Sequence, residues 1–370
     1  MQIINVKLAQ NKYEVHIGPG LIRKAGEKLH GLGLRGRVAV VTNPAVRSLY
    51  GDVLEADLKA AGLIPVMLEV PEGEKYKSLE QASGLFERLS DNQAERLTPV
   101  LALGGGVIGD LAGFVAATYM RGVPLVHLPT TLLAQVDSSL GGKTGVNHGK
   151  LKNVIGAFYQ PRLVISDIAT LKTLPEEEFK NGLAEVIKYA VIRDEAMFQR
   201  LETDLERLEA REMEMLEAVV SRCAAIKAEI VEKDENDLGI RNILNYGHTV
   251  GHAVETAADF HIGHGRAVAI GMMVEARMAQ EMDILPRSGL ERIRELLVRV
   301  GLPVKIPGLD IDGILRAMGH DKKKAGGRLR FALPRAVGQA CLSDEVDAGL
   351  AKEVLRDLNE ETPNLRQHSR

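Results

Sequence analysis

Tryptophan is absent from this chain, cysteine occurs twice, and no stretch of one charge sign or of unbroken hydrophobicity stands out. The two cysteines, Cys223 and Cys341, are too few for a disulfide framework and too far apart for a CxxC metal knuckle. No apolar run approaches the roughly 20 residues that a membrane helix needs. The opening MQIINVKLAQNKYEV lacks the charged segment and apolar core of an export signal and alternates instead like a strand. Basic residues number 47 against 50 acidic ones, with no basic block or aromatic interleaving, which argues against nucleic acid as a partner. Together these absences predict a soluble, cytoplasmic protein with no membrane or nucleic-acid partner.

At 370 residues the chain is long enough for two domains with separate cores. Its first half sets short apolar runs (RVAVVTNP at 37, LIPVMLEV at 63, PVLALGGG at 99, VPLVHLP at 123, RLVISDI at 162) between amphipathic segments, the rhythm of strands and crossover helices. From about 175 the apolar spacing becomes helical, over 176–202, 212–233, 247–258, 266–282 and 288–300. The expected fold is a Rossmann-like α/β domain with a mostly parallel sheet over residues 1–174, followed by a mainly α-helical domain over 175–370, divided at TLPEEEF, where Pro175 and the acidic residues after it mark a helix start.

LGGGVIGD at 103–110 contains GxGxxG spacing in Gly104, Gly106 and Gly109, after an apolar strand and before DLAGFVAATYM. Strand, glycine turn and helix N-terminus bring backbone N–H groups close to a pyrophosphate. The same spacing also closes ligand-free turns. The acidic residue normally found about 20 positions on, which holds a ribose, is missing; the next strand ends in Pro129, Thr130 and Thr131. A dinucleotide bound here would therefore be held in a non-standard way. Further on, DSSLGGKTGVNHGKLKNVIGAF gathers Asp137, Lys143, Asn147, Lys150, Lys152 and Asn153 among glycines. That composition predicts a polar loop suited to an anionic ligand, with PTTLLAQV and VIGAFY anchoring it.

In NYGHTVGHAVE, His248 and His252 lie one helical turn apart and share a face, with Glu255 nearby. Thr249 stands where the general base of HExxH belongs, so a zinc protease is excluded. Spacing alone favours His248 and His252 as joint metal ligands, with His264 or Glu185, an acid on the apolar segment GLAEVIKYAVI, as further candidates.

Taken together, PEGEKYKSLE, GGGVIGDLAGF, YMRG, PTTLLAQVDSSLGGKTGVN, KNVIGAFYQP, LKTLP, GLAEVIKY, LNYGHTVGHAVE and HDKK, in that order, resemble the 3-dehydroquinate synthase family of sugar phosphate cyclases. The resemblance implies conversion of 3-deoxy-D-arabino-heptulosonate 7-phosphate into 3-dehydroquinate and phosphate, a step of the shikimate pathway. NAD+ oxidises a ring hydroxyl, phosphate leaves by β-elimination, NADH returns the hydride, and the ring opens and recloses as a carbocycle. It also implies a divalent metal, zinc, on Glu185, His248 and His264, ligand types that also suit cobalt, and reassigns His252 to the substrate. Cofactor residues carried over are Asn43, Glu74, Lys77, Gly105, Gly106, Asp110, Thr130, Thr131, Lys143, Lys152, Thr170, Leu171, Lys172 and Thr173. Glu74 and Lys77 thereby replace the missing ribose acid. For the substrate, Lys143, Lys227, Arg241 and Asn245 are assigned to the carboxylate end, and Asn153, Lys188, Lys322 and Arg121 to phosphate or nearby hydroxyls. Asp137 and His252 are placed near the reacting hydroxyls. Arg121 is expected from a partner subunit, implying a homodimer, and the active site is expected in the cleft between the domains.

Two positions depart from the family pattern. Asp237 stands where a glutamate is usual, keeping a role in proton relay or lysine pairing with one methylene less. Arg266 replaces a carboxylate two residues from His264 and is expected to point away from the metal. Rival readings are a cyclase acting on a sugar phosphate without a carboxylate, against which Lys227 and Arg241 argue, and a metal-dependent NAD polyol dehydrogenase, which would accumulate NADH. A catalytically dead binding module is disfavoured because an idle site has no need of buried ligands.

Overall fold

The structure is a computed structural model describing residues 1–360 apart from Gln10, Lys150, Phe260, Pro307 and 325–328. The side chains of 320–324, Ala348 and Glu360 also lie outside the description, so Lys150 and the side chain of Lys322, two of the expected ligand-binding lysines, are not described. The chain forms two compact units, Met1–Gly182 with Arg207–Asn236, and Leu183–Glu206 with Asp237–Arg370.

A seven-stranded sheet organises the first unit. Its strands are β1 (Gln2–Lys7), β2 (Lys12–Gly18), β3 (Arg37–Thr42), β4 (Ile64–Glu69), β5 (Val100–Gly104), β6 (Leu125–Pro129) and β9 (Leu163–Asp167), in the order β1-β2-β9-β6-β5-β3-β4. Every pairing is parallel except β1 with β2. β5, β6 and β9 are buried throughout, which explains why they read as unbroken apolar runs. Alternation sends Val38, Val40, Leu101 and Leu103 to one core, and Ala39, Val41, Val100 and Ala102 to the other. The five apolar runs each become a strand. The opening segment, expected as one strand, is a hairpin instead: the Leu8 N–H donates to the Asn11 carbonyl at 2.8 Å and folds β1 back on β2.

The polar segment expected as a loop is also a hairpin, β7 (Lys143–His148) against β8 (Leu151–Phe158). A two-stranded ribbon leaves one face open, so charged residues on it need no buried partners. Its other side lies against the helix Gly106–Thr118 so closely that a Cβ on Gly113 would come within 2.4 Å of Thr144.

Helix Met213–Lys233, assigned by the 174/175 cut to the second half, groups with the first unit, so the compact units are discontinuous in sequence. It buries Leu216, Val219, Val220, Ile226 and Val231 and packs against β1 and the 134–138 turn. Periodicity announces such a helix without saying which sheet it will cover.

In the second unit the expected helices appear as Glu195–Thr203, His248–Ala257, His264–Glu281 and Arg287–Arg299, with Ile311–Lys324 and Ala348–Glu360 beyond them. The predicted 176–202 helix breaks at Asp194, whose carboxylate accepts from the Met197 N–H at 2.9 Å and starts a new helix. A hairpin, β10 (Phe331–Ala336) with β11 (Gln339–Ser343), was not expected; Gly338, at φ +86°, makes its turn.

Candidate metal centre and nucleotide site

Glu185 sits on helix Glu176–Arg193 among Leu183, Ala184, Val186, Ile187 and Tyr189, all buried. A carboxylate there is fully shielded from water and costly unless compensated. Its compensation is local and tertiary. Lys188, one turn on and 1% exposed, forms an ion pair with it, while His248 Nε2 and His264 Nε2 stand 3.3 and 3.4 Å from Glu185 Oε1. Burial by itself would raise the Glu185 carboxyl, but Lys188 and the two histidines hold it well below the usual carboxylate range.

Despite these close neighbours, neither Glu185 oxygen completes a well-aligned hydrogen bond among the described residues. Three ligand atoms that aim at a common point, rather than at one another, have this signature. Donors 2.0–2.1 Å from a tetrahedral metal lie about 3.3–3.4 Å apart, which matches the two distances. The donor set of one carboxylate and two imidazoles leaves a tetrahedral position open, as a catalytic zinc site requires. Both rings are held from behind. His248 Nδ1 faces the Tyr246 carbonyl at 3.1 Å and His264 Nδ1 faces Glu255 at 3.5 Å, arrangements that turn each Nε2 toward the centre. Burial would depress His264, but the neighbouring Glu185 and Glu255 carboxylates raise it to about 9.

His252 is exposed, its ring centroid 5.3 Å from that of His248. Among the described residues, the two triplets of candidate ligand atoms are Glu185, His248 and His264, and His252, Glu255 and His264; neither contains both His248 and His252. The pairing favoured by spacing alone is therefore not the grouping observed. Elsewhere in this unit Arg241 is 2% exposed in the turn Ile240–Asn245, with Asn245 half-buried at its end. Asp237 has φ +58°, and Arg266 is exposed.

In the first unit the expected nucleotide residues follow the carboxyl ends of the parallel strands: Asn43 after β3, Glu74 and Lys77 after β4, Gly105 and Gly106 after β5, Thr130 and Thr131 after β6, and Thr170, Leu171, Lys172 and Thr173 after β9. That edge is where open α/β sheets bind ligands. The glycines there have no room for side chains: a Cβ on Gly104 would meet Ile108 at 2.8 Å, and one on Gly105 would meet Thr131 at 3.0 Å. Stripped of Cβ atoms, the first turn of Gly106–Thr118 presents a backbone cradle fit for a pyrophosphate.

Asp110, on that helix, accepts from Lys77 Nζ at 2.5 Å; Lys77, 4% exposed, also bonds Asn153. Burial raises the Asp110 carboxyl and Lys77 opposes the shift. Asn147 Nδ2 donates to Glu74 Oε1 at 2.8 Å, and its Oδ1 accepts from the Asn153 N–H at 2.9 Å. Asn147 therefore ties the Glu74 segment to the hairpin, a role that its place among polar residues did not reveal. Thr170 and Thr173 are joined through Tyr50, and the Asn43 side chain accepts from the Val46 N–H at 2.8 Å. Lys227 bonds the Asp137 carbonyl at 2.7 Å and pairs with its carboxylate. Lys143 and Arg121 are exposed, and Lys152 is half-buried.

Two family models match, 3-dehydroquinate synthase N-terminal over residues 67–181 and 3-dehydroquinate synthase C-terminal over 182–324. A 3-dehydroquinate synthase of Dehalococcoides mccartyi is 48% identical over 97% of this chain and 99% of its own length. The chain belongs to the 3-dehydroquinate synthase family. Among solved structures, ValA (2-epi-5-epi-valiolone synthase) from Streptomyces hygroscopicus subsp. jinggangensis, with NAD+ and Zn2+ bound, is 29% identical at a TM-score of 0.88, covering 95% of this chain and 98% of that one. A 2-deoxy-scyllo-inosose synthase complexed with carbaglucose-6-phosphate, NAD+ and Co2+ is 28% identical at a TM-score of 0.86, covering 96% and 100%. This chain thus shares the cyclase fold over nearly all of its length.

Proposed function

We propose that the chain converts 3-deoxy-D-arabino-heptulosonate 7-phosphate into 3-dehydroquinate and phosphate, as a lyase of aromatic amino acid biosynthesis. The observation that carries this reading is the convergence of Glu185, His248 and His264 in a chain 48% identical to a 3-dehydroquinate synthase over almost its whole length. These three residues would hold the metal, and Glu74, Lys77, Gly105, Gly106, Asp110, Thr130, Thr131, Lys152 and the 170–173 turn would hold NAD. When bound, the metal supplies Lewis acidity to the substrate hydroxyls, and NAD supplies a hydride acceptor that is restored within each turnover.

The chain's own residues do the rest. Lys143, Lys227, Arg241 and Asn245 bind the carboxylate end, and Asn153, Lys188, Lys322 and a second copy's Arg121 bind phosphate or hydroxyls. Lys188 also keeps Glu185 ionised, so the ligand needs no deprotonation. His252 donates to the substrate and moves its proton, and Asp137, held by Lys227, orients a hydroxyl. Arg241, 2% exposed, is the specificity element: it meets the substrate carboxylate together with Lys143, Lys227 and Asn245, so substrates without a carboxylate lose those contacts and are disfavoured. The protein acts as a homodimer in the cytoplasm. Among the described residues no helix is long and apolar enough to cross a membrane.

Comparing kcat/KM for 3-deoxy-D-arabino-heptulosonate 7-phosphate, sedoheptulose 7-phosphate and glucose 6-phosphate tests the assignment. The expected result is turnover of the sugar acid alone. Preference for either neutral sugar phosphate would move the chain to another cyclase activity.

A further inference from the structure

Glu275 is a carboxylate with no solvent exposure, in the apolar stretch AVAIGMMVEARMA of helix His264–Glu281. It plays no part in the proposed chemistry. Its Oε2 accepts from the Gly247 N–H at 2.7 Å and its Oε1 from the Val250 N–H at 3.4 Å. Those amides belong to the start of helix His248–Ala257, whose N-cap, Gly247, has φ +79° and no side chain to cap with. The cap comes instead from Glu275, 28 residues on in sequence. Beside it the Tyr246 hydroxyl donates to the Met272 carbonyl at 2.9 Å, and a Cβ on Gly271 would fall 1.9 Å from the Gly247 carbonyl oxygen, so the two segments touch backbone to backbone.

One of the fastened segments runs directly into His248, and the helix carrying Glu275 begins at His264. Serine or aspartate, the usual local caps, cannot stand here: a Cβ on Gly247 would fall 2.6 Å from Met272 Cγ and 2.7 Å from the Val268 carbonyl oxygen, so the cap has to come from the facing helix. Burying an acid there is costly, and burial lifts its carboxyl to about 8 despite the backbone donors. What it provides that a local cap cannot is a fixed relation between the two histidine-bearing helices.

We propose that Glu275 is a positioning residue for the metal centre, setting the separation of His248 and His264 by clasping one helix to the other. This rests on the reading of Glu185, His248 and His264 as metal ligands. The test uses full-length wild type, Glu275→Gln and Glu275→Ala, measuring zinc affinity by chelator competition, the d–d absorption of the cobalt-loaded proteins, and circular dichroism of the metal-free proteins. Both variants are expected to fold with wild-type helix content and to bind zinc roughly 10- to 100-fold more weakly. Glutamine, which keeps one acceptor for Gly247, should fall between wild type and alanine, and the cobalt bands should shift in the same order.

A folded Glu275→Ala with zinc affinity within about twofold of wild type and unchanged cobalt bands overturns the proposal. If neither variant folds, hydrogen exchange in the wild type decides. Gly247 and Val250 amides protected equally with and without metal support the clasp, and rapid exchange in the metal-free protein overturns it. Absence of zinc binding by wild type would instead overturn the metal reading itself.

Discussion

On the proposed reading Glu185 and His252 do different work at the centre, and single substitutions separate them. Removing Glu185 takes away a proposed ligand and breaks its buried ion pair with Lys188, a loss of about 3–5 kcal/mol for a broken buried pair. Glu185→Ala should therefore retain almost no metal after dialysis and melt well below wild type. His252→Ala should keep its metal while activity falls roughly 10²–10⁴-fold, as for a lost proton-transfer group. Metal content by atomic absorption, read beside activity, distinguishes the two. Loss of metal from His252→Ala would restore the pairing suggested by helical spacing.

His264 adds a pH dependence. Its folded value of about 9 lies above the usual 6.5, so in the metal-free protein its stabilising contribution is complete below pH 6.5 and is lost as pH rises through about 9. Zinc needs the neutral ring, so metal affinity runs the other way and climbs over the same window. Melting of the metal-free protein and zinc competition between pH 6 and 9.5 should show opposite slopes, and His264→Ala should flatten the first.

At the scale of elements, Asn147 links the Glu74 segment to β7–β8. Asn147→Ala should weaken NAD+ binding roughly fivefold, the equivalent of about one hydrogen bond, with little change in melting temperature. Isothermal titration would measure it, and an unchanged Kd would show the link to be incidental.

Much at this scale was legible in the sequence. The buried parallel strands announced themselves as continuous apolar runs, and the helices of the second unit as periodic stripes. The β7–β8 ribbon was not legible, because an open-faced hairpin has the composition of a loop. Nor was the grouping of His264 with Glu185. Helical spacing reports neighbours within one helix, whereas that contact depends on a crossing made by Gly247, Gly251 and Gly271, with Glu275 fastening it. The family resemblance supplied the grouping that spacing could not.

At the scale of the whole molecule, the exposed Arg121, held at φ +65°, fits a residue offered to a second subunit. Mixing inactive Arg121→Ala with inactive Lys188→Ala should regenerate activity if Arg121 acts in trans, because one site of each mixed dimer is then intact. No recovery in a mixture shown to exchange subunits would place Arg121 in its own site.

Internally recycled redox chemistry is tested directly by one assay: phosphate release from 3-deoxy-D-arabino-heptulosonate 7-phosphate with catalytic NAD+ and added zinc, while absorbance follows NADH. Phosphate in many-fold excess over NAD+, with no lasting NADH, is the predicted result. NADH accumulating in step with substrate consumed, without phosphate release, would contradict it and make the protein a dehydrogenase.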